Sequence, residues 1–79
     1  MNNLEKLNNI FCEVFSVAKT LLGSNFEKDN VENWDSVHQL FLSNALEDEF
    51  DIMFDSEDIL ELTSYENVKK LLRKYEIEF

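Results

Sequence analysis

The chain has 79 residues, 44% hydrophobic and 30% charged, the profile of one soluble globular domain too small to bury more than about 60% of its unfolded surface. Seven bases against seventeen acids leave a net charge of −10, which excludes nucleic-acid binding by phosphate neutralisation and disfavours anionic membranes. Cys12, the only cysteine, makes no intrachain disulfide. With no basic-then-apolar leader and no apolar run near ~18 residues, the expectation is a cytoplasmic monomer without membrane insertion.

Leu4, Leu7, Phe11, Val14, Ala18 and Leu21 recur at helical spacing, with Ile10 and Val17 beside them. They predict an amphipathic helix over 3–22, ended by Gly23 as its C-terminal cap. Residues 23–35 lack periodicity and carry Gly, Ser, Asn and Asp, which predicts a long loop; loops of this length in small domains are often functional. Asp35 is a good N-cap for a second helix over 36–50. Ile52, Met53 and Phe54 make a brief apolar connection. Ser56, Glu57 and Asp58 open a short helix over 57–61, with acids where the helix dipole favours them. Ser64 caps a last helix over 65–75, whose apolar face is Val68, Leu71, Leu72 and Tyr75. The fold class is therefore all-α: a small four-helix bundle of three longer helices and one short helix, with a long loop between the first two.

The charge is concentrated. Residues 1–26 are balanced by Glu5 and Glu13 against Lys6 and Lys19. Residues 27–61 hold twelve acids against Lys28 alone, net −11, and residues 62–79 are net +1. Such a run is ordinarily a solvated face. Its self-repulsion costs stability, so a partner with a basic surface is expected.

Intrinsic catalysis is not expected. His38 is the only histidine and builds no metal site without further ligands. Cys12 lies beside the apolar stripe of the first helix and reads as a buried structural thiol rather than a nucleophile. The acids from Glu47 to Asp58 lack the spacing and turn glycine of a calcium loop.

Asp35-Ser36-Val37 follows the long loop at the start of the second helix. Downstream stand Ala45, Leu46, Glu47, Glu49, Phe50 and Ile52, then Leu62-Thr63-Ser64. This pattern, over the whole chain, resembles the acyl carrier protein family: its D-S-L signature, its "ALE-E-F-I" run and its "LTS" cap. The resemblance implies that residues 1–79 form a single carrier domain. It implies that Ser36 bears 4′-phosphopantetheine, placed there by a phosphopantetheinyl transferase, with Asp35 and Val37 completing the attachment motif and Asp35 assisting the transfer. The arm would hold acyl groups as thioesters and present them to acyl-loading and acyl-transferring enzymes. Phe41, Glu47, Asp48, Asp55 and Glu57, with Glu49 and Asp58, would form the surface read by those basic partners. A helix start suits a phosphodiester on Ser36, because free peptide N–H groups and the dipole favour an anion there.

Two departures bear on the pathway. Val37 stands for the usual leucine, and Trp34 precedes the aspartate, as in stand-alone carriers of specialised pathways. The second helix is apolar on two opposite faces, Leu42, Leu46 and Phe50 against Val37, Phe41 and Ala45. The resemblance gives the Leu42 face to the core and leaves Val37 and Phe41 beside the arm. Gln39 and Ser43 would then point inward, which favours a short or polar cargo over a long fatty acyl chain. An aminoacyl or peptidyl carrier, and an unmodified acidic helical adaptor, are the alternative readings.

Overall fold

A computed structural model describes residues 2–79. The chain is all-α, with α1 at Asn3–Phe15, α2 at Ser36–Phe50, α3 at Ser56–Leu60 and α4 at Tyr65–Lys74. Three helices are long and one is short, as the sequence predicts, and no strand occurs among the described residues. Each helix begins on a polar cap. Asn2 accepts from Glu5 N, Asp35 from His38 N, and Ser64 from Asn67 N. Asp55 and Asp58 form a reciprocal capping box at the start of α3, each satisfying a donor that the helix leaves free. Asp55, not Ser56, is thus the cap, and α3 starts one residue earlier than expected.

The first helix is shorter than predicted. It stops at Phe15 rather than Leu22, and Ser16 caps it in the left-handed region at φ 56°. The peptide N–H groups of Ser16 and Val17 both reach Cys12 O, and Asn33 Nδ2 bonds Phe15 O at 3.2 Å. These bonds satisfy carbonyls that a continuing helix would have used. Lys19–Leu21 then form a separate 3₁₀ turn, so Ala18 and Leu21 lie off the helix, and Leu21 is exposed. Gly23 is not a cap. Its φ is not positive. Cys12 is half-buried, not fully enclosed.

The segment between α1 and α2 belongs to the core. It contributes Phe26 and Trp34, both buried, to an aromatic cluster with Phe11, Phe15 and Tyr65. The Phe15 and Trp34 rings are 4.7 Å apart, and Phe11 meets Tyr65 edge-on at 5.2 Å. Such pairs add about 0.5–1.5 kcal/mol each beyond their burial. Backbone bonds then tie this segment to the α3–α4 turn. Lys28 N donates to Thr63 O at 2.8 Å, and Tyr65 N donates to Phe26 O at 2.9 Å. Trp34 Nε1 donates to Leu62 O at 3.1 Å. The aliphatic half of the core is Leu7, Leu42, Leu46, Leu62, Val68 and Leu72, all fully buried. The Leu42 face of α2 is the inward one.

Candidate functional site

Ser36 is the first residue of α2 and is exposed. Asp35 Oδ1 accepts twice from His38, from its peptide N–H at 2.9 Å and from its ring Nδ1 at 2.8 Å. A carboxylate has no proton to give, so Nδ1 carries it. The peptide N–H of His38, and then its ring, hold the Asp35 carboxyl below its ordinary value. The imidazole stacks on Phe15 at 6.0 Å and meets the edge of Phe41 at 6.2 Å. His38 is therefore not an idle surface residue. It fixes Asp35 next to Ser36 and joins that corner to the aromatic core. One oxygen of Asp35 is thereby occupied by His38.

On the outward side of α2, Val37, Leu40 and Phe41 are 56%, 52% and 55% exposed. Leu60 of α3 and Met53 are more exposed still. Val37, Leu40 and Phe41, with Leu60 across the groove, give Ser36 an apolar neighbourhood; Met53 lies past the other end of α2. Asp48, Glu49, Asp55 and Glu57 are all exposed. Two further acids have structural tasks. Glu47 is half-buried, and its Oε2 accepts from Phe54 N at 2.8 Å. Asp58 is not part of the surface at all, being only 3% exposed. It accepts from the Tyr75 hydroxyl, from Asp55 N at 3.3 Å and from Lys74 Nζ at 3.4 Å. The Tyr75 bond is the main reason its carboxyl lies below its ordinary value. Nothing local marks Asp58 as buried, because Tyr75 and Lys74 reach it from the far end of α4.

A groove of about 400 Å³ opens at Ser36 between α2 and α3. Ser36, Gln39 and Leu40 form one wall, Ile59, Leu60 and Thr63 the other, and Lys28 reaches it from the α1–α2 segment. Gln39 Nε2 crosses to Ile59 O at 2.6 Å. Ser43 is fully buried, and its hydroxyl donates to Leu40 O at 2.8 Å. Ser43 points inward as expected, whereas Gln39 is half-buried on the groove wall, and each bonds within the chain.

The chain contains a second Asp-Ser pair at a helix start, Asp55-Ser56, with Ser56 exposed. The two differ in surroundings. Ser56 is followed by Glu57 and by the buried Asp58. Ser36 has the apolar neighbourhood and lies on the groove. Lys28 has no functional signal of its own in the sequence, being one base among acids.

Among the described residues no cluster of three ligand-type side chains is placed to hold a metal ion, and no helix is long and apolar enough to cross a membrane. Comparison with protein-family models, with curated proteins and with solved structures finds no match.

Proposed function

We propose that this chain is a carrier: Ser36 bears 4′-phosphopantetheine, and the thiol of that arm holds acyl groups as thioesters for partner enzymes. The observation that carries the reading is the placement of Ser36, an exposed hydroxyl at the first position of a fifteen-residue helix, after an ordered Asp35 and on the rim of a groove. The residues present suit the arm. The start of α2 offers peptide N–H groups and the positive end of the helix dipole to a phosphodiester. Leu40, Ile59 and Leu60 supply apolar wall for the arm's methylenes. When bound, the group supplies the thiol that the chain itself lacks at this corner.

The chain's own contribution is presentation. Val37 and Phe41 give a partner enzyme an apolar footing next to the arm, and the exposed Asp48, Asp55 and Glu57 add negative charge farther along the surface. Opposite charge on the partner speeds encounter more than it tightens the complex, which suits a shuttle that must release. The cargo we propose is short or polar. Leu42, Ser43 and Leu46 on the inward side of α2 are fully buried, so a long chain entering the core there would have to displace packed side chains. Incubation with coenzyme A and a broad-specificity phosphopantetheinyl transferase, followed by intact mass, tests the reading. We expect a gain of one arm that Ser36→Ala abolishes. An unchanged mass would support the unmodified adaptor instead.

A further inference from the structure

We infer that Lys28 is the counterion of the phosphodiester on Ser36, an inference that rests on the carrier reading above. Residues 27–61 contain twelve acids and one base, yet no acid lines the groove at Ser36, and the charged side chain that does is that one base. Its position is not that of a loose surface lysine. The Lys28 peptide N–H donates to Thr63 O at 2.8 Å, next to the Glu27–Ser64 backbone bridge. This fixes its backbone against the turn that supplies Thr63 to the same groove. Among the described residues Lys28, like several other bases, joins no ion pair; its place on the groove sets it apart. An unpaired lysine whose backbone is anchored at an acid-free groove shared with a hydroxyl can reach an anion attached at that hydroxyl. The phosphodiester is the group directly bonded there. It adds one negative charge to a chain already at −10, which without a nearby cation would lower stability.

The experiment compares apo and modified protein for wild type, Lys28→Gln and Lys28→Arg, by melting temperature in low and high salt and by the ³¹P resonance of the diester. Intact mass first shows that each variant carries the arm. Lys28 is exposed, so the apo forms should fold alike and serve as references. In low salt the melting temperature of modified minus apo protein should be lower in Lys28→Gln than in wild type by about 1–5 °C, the scale of an exposed ion pair in a domain this size. Lys28→Arg should retain the wild-type difference, about 0.5 M sodium chloride should erase the contrast, and the ³¹P shift should move in Lys28→Gln alone. Equal differences and an unmoved resonance in fully modified Lys28→Gln would overturn the role of Lys28 while leaving the carrier reading intact. Failure of wild type to accept the arm would overturn both.

Discussion

Asp35 and Asp58 stand near the starts of two helices, and their surroundings give them different tasks. Asp35 is exposed and ordered by one neighbour, His38. Asp58 is buried and ties α3 to the end of α4 through Tyr75 and Lys74. Both carboxyls are held below the ordinary 3.8. The stability they contribute is therefore complete above that value and is lost as pH falls through their lower folded-state values. Tyr75 shows the opposite sign. Its bond to Asp58 pushes it up to about 12, so its contribution is complete below the ordinary 10.0 and lost as pH rises toward 12. We expect the wild-type melting temperature to fall between pH 10 and 12. Tyr75→Phe should melt lower at neutral pH and lose less across that window. Some alkaline loss should persist in the variant, because burial also raises Tyr65. Identical slopes in wild type and Tyr75→Phe would show that the Asp58 bond does not couple to folding.

Among the elements, the end of α1 is the most informative. Ser16 holds a left-handed backbone at φ 56°, which costs a non-glycine residue about 1–2 kcal/mol. Ser16→Gly should relieve that cost against the about 0.5–1 kcal/mol that glycine's freedom takes from the folded state. The net gain should be several tenths of a kcal/mol, or about 2–6 °C in melting temperature. Gly23→Ala is the complementary variant. A Cβ there meets nothing within 4 Å, so alanine should be neutral or stabilise by up to about 1 kcal/mol. Were Gly23 the helix cap, alanine would destabilise instead. The sequence carried most of this architecture, because α2, α3 and α4 begin on caps that lie beside them in the chain. The end of α1 was not legible. Its periodic apolar residues continue through Leu21, whereas the helix ends on a left-handed Ser16 with Phe15 O taken by Asn33, eighteen residues away. Nothing local marks Trp34 as core, because the cluster it fills comes from Phe11, Phe15 and Tyr65 on other elements. At the site, helical spacing gives α2 two opposite apolar faces and does not choose between them; the resemblance points to the Leu42 face as the core, and the exposure of Val37 and Phe41 agrees. The roles of Glu47 and Asp58 were not legible, since their partners are set by packing.

For the molecule as a whole, charge is the dominant constraint. Twelve acids and one base in residues 27–61 share a body whose smallest extent is 19 Å. At 0.1 M ionic strength the screening length is about 10 Å, so salt should uncouple charges across it. We expect the melting temperature to rise with sodium chloride from about 0.01 to 0.2 M and then level off. A flat response would mean that the acids repel less than their number implies.

The central claim is that an exposed serine becomes a carrier site through its surroundings and not through the Asp-Ser pair alone. The chain supplies its own control in Asp55-Ser56. The most direct measurement is site localisation by fragment mass spectrometry after reaction with coenzyme A and the transferase. The expected result is one phosphopantetheine on Ser36 and none on Ser56. An arm on Ser56, or on neither serine, would contradict the account.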